Sequence, residues 1–168
     1  MSNKKDRKKS FDKSKKNSRF NRSKRSAPKK FTNKISDHFS KKDFVCKESG
    51  QFKISLGLVG VLEEIRCKVN KHIEIVKGFE SIEVAEKKGK VKRNFHTMGL
   101  AADIKIRDMT PQEMFECASE IDAIRGIGLN LEESYVHIDT RKTDRVCWVE
   151  EANEEIELTL ENRSKYFE

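Results

Sequence analysis

The sequence predicts an α+β domain, a small mixed or antiparallel sheet with helices on one side, preceded by a disordered basic tail. Three observations predict it. Charge divides sharply along the chain: residues 1–42 carry seventeen Lys and Arg against Asp6, Asp12 and Asp37, a balance of +14. The whole 168-residue chain is +8, so the remainder is mildly acidic, at −6. Within that remainder, two segments space their apolar residues as one face of a helix, and several short segments between and after them read as strands. The pI of about 9.3 is therefore a property of the tail.

In the tail, Phe11, Phe20, Phe31 and Phe39 are isolated among Lys, Arg, Ser and Asn. Such a segment buries too little apolar surface to offset its ordering entropy. Two roles fit it: a solvating extension, or a contact with nucleic acid or another polyanion through counterion release, with the Phe rings stacking on bases. The expected organisation is a Lys/Arg-rich tail over 1–42, a folded domain over 43–150 and an acidic segment over 151–168. No apolar stretch of roughly 7–15 residues follows the basic start, so no secretory signal is expected and the chain is cytoplasmic as synthesised. No run approaches the ~18 apolar residues of a membrane span. Cys46, Cys67, Cys117 and Cys147 are widely separated with no C-x-x-C pair, which gives neither a cysteine metal site nor a disulfide framework. Reduced thiols are expected. Nothing in the sequence sets the oligomeric state.

Order is expected to begin near Phe44. From Ser55 to Lys71, Leu58, Val61, Leu62, Ile65 and Val69 recur at three-and-four spacing behind a capping serine, which predicts a helix. Ile73–Val76 reads as a short strand ending in a turn at Lys77-Gly78. The charged stretch 82–95 reads as a surface loop. Ala101–Ile106 is a second strand. Thr110-Pro111-Gln112-Glu113 is a helix start, with a capping threonine, proline at the first position and Glu three residues after the cap. Three strands then follow, over 126–129, 134–140 and 145–149. The segment from Glu150 reads as a surface helix or a fraying, solvated end. Phe115 and Trp148 are expected in the core, His38 and His72 on the surface.

The chemistry concentrates in two places. His96-Thr97-Met98-Gly99-Leu100-Ala101-Ala102-Asp103 supplies an imidazole and a carboxylate seven residues apart. Asp103 interrupts an apolar strand, where a carboxylate without a partner is costly and a nearby cation removes the cost. A second imidazole, His137, lies in Tyr135-Val136-His137-Ile138-Asp139-Thr140-Arg141. Strand alternation places His137 with Glu133, Tyr135 and Asp139 on one face and Val136 and Ile138 on the other. Nitrogen and carboxylate donors of this kind suit zinc, which in a catalytic site keeps one position open for water. Spacing alone is weak evidence, because a His with an Asp seven residues on recurs by chance.

The combined pattern is more specific. His96, Gly99, Ala101 and Asp103, then Gly126 and Gly128, then Val136-His137-Ile138-Asp139-Thr140-Arg141 and Trp148 resemble the zinc D-Ala-D-Ala carboxypeptidase and murein endopeptidase family. That group is peptidase M15-like, with a zinc fold shared by the hedgehog signalling domain. The resemblance covers about residues 50–150. It implies one zinc ion held by His96, Asp103 and His137, and a peptidoglycan peptide as substrate. It also implies a carboxylate close before the third ligand as proton acceptor. Several relatives carry that acid three residues before the histidine, where this chain has Ser134. The role then falls to Glu133, next Asp139 and last Glu132, with Asp139 equally suited to orienting His137 or Arg141. Arg141 is expected to bind substrate. Relatives commonly carry Ser-Gly-Tyr/Phe-Arg-Ser after the first strand, whereas this chain has Lys77-Gly78-Phe79-Glu80-Ser81, which reverses a charge expected to meet substrate. The second reading is a zinc-binding domain of the same fold that binds without hydrolysing. Access to a cell wall is expected to resemble phage-type release by a partner lysis protein.

Overall fold

In the computed structural model, residues 33–152 and 154–167 are described. The disorder expected of residues 1–32 lies outside them. Six strands make one sheet: β1 (Ile73–Lys77), β2 (Ala101–Ile106), β3 (Gly126–Asn130), β4 (Tyr135–Asp139), β5 (Val146–Glu151) and β6 (Glu154–Glu157). Their order is β1-β2-β4-β3-β5-β6, antiparallel throughout except for the parallel pair β3–β5. Five α-helices among the described residues accompany the sheet: α1 (Lys41–Phe44), α2 (Leu56–Val69), α3 (Ile82–Lys87), α4 (Phe95–Met98) and α5 (Pro111–Ser119). The α+β class expected from the sequence is the class observed.

Alternation within the strands divides the sheet into two faces. Ala102, Ile104 and Ile106 of β2, Ile127 and Leu129 of β3, Val136 and Ile138 of β4 and Val149 of β5 are buried together with Leu58, Leu62 and Ile65 of α2 and Met114 and Phe115 of α5. Burial of a side chain of this size contributes roughly 1.5–3 kcal/mol. The opposite face carries Asp103, His137, Asp139 and the two glycines of β3. One face is therefore packed and the other is free for chemistry.

The helix ends follow their capping residues. Ser55 accepts from the Gly57 amide, and Asn70 closes α2 in the left-handed conformation. At α5, Thr110 and Glu113 cap each other's backbone amides and Pro111 occupies the first turn. Past its last turn, Arg145 donates to the carbonyl oxygens of Ser119 at 2.6 Å, Ile121 at 2.6 Å and Ile124 at 3.0 Å. One guanidinium thus binds three carbonyls at and just beyond the helix end and ties α5 to the start of β5.

Three segments differ from the sequence reading. Residues 82–95 are not one loop: Ser81 caps α3 by accepting from the Val84 amide, and Val84 and Ala85 are buried. Two buried residues in a six-residue helix leave too short an apolar pattern to read among the charges. The segment after Glu150 is neither one surface helix nor a fraying end; its described residues include the short 3-10 turn Arg163–Lys165. β5 continues to Glu151 and pairs with β6, and Tyr166 is buried while the Phe167 ring lies 5.1 Å from that of Phe115. Lys165 pairs with Glu151 at 2.8 Å, so local charge complementarity fastens an end whose composition is acidic. Finally, Phe39 is buried against Phe44, ring centroids 6.0 Å apart, and His38 binds Glu63 of α2. Residues 33–42 therefore pack on the domain. All four cysteines are free.

Candidate metal centre

Each proposed ligand is placed by its own element. His96 lies in α4, where Asn94 caps the helix by accepting from the Thr97 amide at 2.9 Å. Gly99 ends that helix at φ 71°, and a Cβ there would come within 2.8 Å of the Lys53 carbonyl oxygen, so both conformation and space call for glycine. The chain then enters β2, which carries Asp103. On β4, His137 pairs directly with Asp103 across the sheet.

The three donor atoms converge. His96 Nε2 lies 3.2 Å from His137 Nδ1 and 3.2 Å from Asp103 Oδ1, and His137 Nδ1 lies 2.7 Å from the same oxygen. A tetrahedral ion with bonds of about 2.0–2.1 Å has ligand edges of roughly 3.3 Å, so two of the three edges fit it. The outer nitrogens are engaged as well. His96 Nδ1 is 2.8 Å from the Gly78 carbonyl oxygen, which only accepts, so Nδ1 holds the proton and Nε2 presents its lone pair inward. His137 Nε2 lies 3.5 Å from Asp139 Oδ2, which orients the second ring in the same sense. Two imidazole nitrogens and a carboxylate aimed at one point repel unless a metal ion or a proton stands between them. The donor set fits a metal ion.

Without a metal ion, a proton on His137 takes that place. Burial works against a charged Asp103, yet His96 and His137 hold its carboxyl far below the usual carboxylate range. For His137, burial pulls the imidazole down, and Asp103 with Asp139 outweighs it, pushing the group up to about 9. Asp139 is fully buried; burial opposes its charge, and Arg141 with His137 lowers it to about 2.

The glycines of β3 make room for this arrangement. A Cβ at Gly126 would lie 2.0 Å from Asp139 Oδ2, and one at Gly128 2.6 Å from Trp148 Cε2. Trp148 is buried, but outside the hydrophobic cluster: it lies on the polar face over Gly128, its ring 5.3 Å from that of His137. Its Nε1 has no hydrogen-bond partner among the described residues. Arg141 is turned inward, with Nε 2.9 and 3.0 Å from the two oxygens of Asp139 and its guanidinium carbon 4.4 Å from the Phe95 ring centroid. Nη1 is the guanidinium nitrogen left without a protein partner among the described residues.

Glu133 stands in the exposed turn between β3 and β4. Its amide donates to Asn130 at 2.7 Å, and its carboxylate forms no ion pair among the described residues. Glu132 is exposed beside it and accepts from the Ala152 amide at 3.4 Å. Glu80 is almost wholly buried, at 2% exposure, and is matched by Lys77 at 3.3 Å and Lys88 at 3.4 Å. The charge reversal at this position is thus absorbed internally. The sequence reading also passed over a polar group on the site face: Glu150 Oε2 accepts from Tyr135 at 2.6 Å and Asn130 Nδ2 at 2.9 Å. Burial, then that bond to Glu150, push the Tyr135 phenol up. Strand alternation carried the signal, since Asn130, Tyr135 and Glu150 are register partners.

An α+β domain that gathers two oriented imidazoles and a carboxylate on the polar face of its sheet has the donor set of a metal-binding protein. The Peptidase M15 family model matches residues 33–139. The chain belongs to that family, whose peptidases are metal-dependent, and a peptide substrate follows from it. No curated protein matches the chain. No helix among the described residues is long and apolar enough to cross a membrane.

Proposed function

We propose that the chain is a zinc peptidase that hydrolyses peptides of peptidoglycan, with His96, Asp103 and His137 holding one zinc ion. The convergence of three donor atoms, each imidazole fixed from behind by an oxygen, carries this reading. Zinc bound there supplies an acidified water and polarises the scissile carbonyl. Asp139 keeps His137 in its ligating orientation and is itself held by Arg141. Glu133, whose carboxylate is unpaired among the described residues, accepts the proton and returns it to the leaving amine. Arg141 meets the substrate through Nη1. The basic segment that precedes the packed residues 33–42 holds the domain to an anionic wall polymer or another polyanion, and the folded domain carries the chemistry.

Metal analysis of the purified protein, coupled to digestion of isolated peptidoglycan, tests this. The expected result is one zinc per chain and released peptides, both lost in His137→Ala. Zinc without released peptides would sink the peptidase reading and leave a binding domain of the same fold. A wild type that binds no zinc would sink both.

A further inference from the structure

Two side chains of β5 on the ligand-bearing face carry polar atoms without a partner. Trp148 and Glu150 are in register with Gly128 and Asn130 of β3, which pair in turn with His137 and Tyr135 of β4. The indole is buried, and its Nε1 donates to nothing among the described residues. Glu150 is half-buried, and Tyr135 and Asn130 both donate to its Oε2, at 2.6 and 2.9 Å. Its other oxygen, Oε1, accepts no hydrogen bond from the described residues, and the carboxylate forms no ion pair with them. Between His137 and Glu150 lie two strand spacings across the sheet and two residues along it, about 12 Å. The carboxylate therefore addresses a part of a ligand away from the metal, within about four residues of an extended peptide.

The charges around Glu150 add to its own. Its register partner on β6 is Glu155, and that of Trp148 is Glu157, both exposed. Like charges directly opposite each other repel. Glu133 stands in the adjoining turn, its amide on Asn130. Of the cations on this side of the sheet, Arg141 is held by Asp139, and Lys105 lies on β2, three strand spacings or roughly 14 Å away. Lys165 is held by Glu151, which alternation turns to the opposite face. A buried donor left unpaired is costly, so the indole marks the same strip of sheet as one that a bound molecule completes. We propose that Glu150 is a specificity-determining residue of the cleft, receiving through Oε1 an ammonium group of the bound peptide, with Tyr135 and Asn130 as the residues that position it. This rests on the peptide substrate of the preceding reading, though not on hydrolysis. The ammonium is either on a side chain of the peptide or at its amino terminus.

Trp148 is the sole tryptophan and stands two residues from Glu150, so its fluorescence reports binding without turnover. The zinc-loaded full chain is titrated with three tripeptide amides, each checked by mass spectrometry to stay intact. They are N-acetylated alanyl-lysyl-alanine, its norleucine counterpart, and the norleucine peptide with a free amino terminus. The wild type is expected to bind at least one of the two cationic peptides about 10-fold more tightly than the neutral one, the difference that one charge-assisted contact supplies. The tighter peptide identifies the source of the ammonium. Glu150→Gln keeps an acceptor for Tyr135 and Asn130 and is expected to abolish the preference, while Glu150→Asp keeps part of it and Glu155→Gln most of it. Folding of each variant is checked by its urea midpoint, and Glu150→Asp separates loss of charge from loss of structure. No preference in the wild type, or an unchanged preference in Glu150→Gln, would overturn the proposal. So would an equal loss in Glu155→Gln, which would assign the preference to the general charge of the face. Peptidoglycan left undigested by a protein that keeps the preference removes the enzyme reading and upholds this one, and digestion without the preference does the reverse.

Discussion

Asp139 and Arg141 hold each other two residues apart on one chain: the Arg141 amide and Nε both donate to Asp139 Oδ1, each at 2.9 Å. Asp139 in turn stands behind His137, so ring orientation depends on a carboxylate that is fully buried. Asp139→Asn keeps the shape and removes the charge. Zinc affinity is expected to fall about 10–100-fold, as for other supports of metal-bound histidines. Chelator competition measures it, and an unchanged affinity would show that Asp139 does not orient His137.

Gly128 admits the Trp148 indole, and a methyl group there would collide with three of its ring atoms within 2.7 Å. Gly128→Ala is expected to destabilise the fold by about 1–3 kcal/mol through overpacking. The displaced indole shifts the emission of the only tryptophan, so one urea titration followed by fluorescence reads both effects. Native emission with a native midpoint would contradict the contact.

Arg145 is expected to matter more than a partly exposed arginine usually does, because it donates to three backbone carbonyls, of which only that of Ile121 has a second donor, the Ile124 amide, among the described residues. Arg145→Ala leaves the carbonyl oxygens of Ser119, Ile121 and Ile124 without this donor. The expected cost is about 1.5–3 kcal/mol, the range for hydrogen bonds to charged groups. Hydrogen exchange is expected to quicken first in the last turn of α5. A loss below about 0.5 kcal/mol, typical of an ordinary surface site, would rule the role out.

Acid is expected to release the segment 33–40 before the domain unfolds. Burial raises Glu63, but the neighbouring Ser36 hydroxyl and the His38 ring and amide outweigh it and hold the group at about 2, below its ordinary 4.5. A depressed carboxyl contributes stability that is whole above about 4.5 and lost as pH falls towards 2. Between those values Glu63 takes up a proton on release and the anchor to α2 weakens. Amide exchange of Ile35 to Phe39, followed from pH 6 down to 2.5, is expected to speed up in that window, and Glu63→Gln removes the pH dependence.

Metal removal is expected to lower stability in a concentration-dependent way. Zinc that binds only the folded chain adds about 2.7 kcal/mol at about 100 times its dissociation constant. Melting curves with and without chelator measure this. In His96→Ala the chelator is expected to have no effect, and an equal effect there would place the metal elsewhere.

Much of the fold was legible because short-range physics specifies it. Ser55 and Thr110 mark helix starts by capping, and Leu58, Val61, Leu62 and Ile65 repeat on one face. The alternation of Val136 and Ile138 with His137 assigned the two faces of β4 before any partner strand was known. Helix α3 was illegible because only Val84 and Ala85 of its six residues are buried, and β6 because pairing with β5, and not its own acidic composition, makes it a strand.

For the site, the sequence by itself determined the residue types and the faces they occupy: His96, Asp103 and His137, with glycines where backbone and side chains crowd. Only the tertiary structure decided how these meet, since His96 and His137 are 41 residues apart and their approach depends on the pairing of β2 with β4. It also decided that Asp139 is taken by Arg141, that the buried Trp148 lies beside the ligands, and that Glu80 turns inward to Lys77 and Lys88. The physical reason is that a charge or a ring is defined by its neighbours in space, and those come from strands and loops far away along the chain.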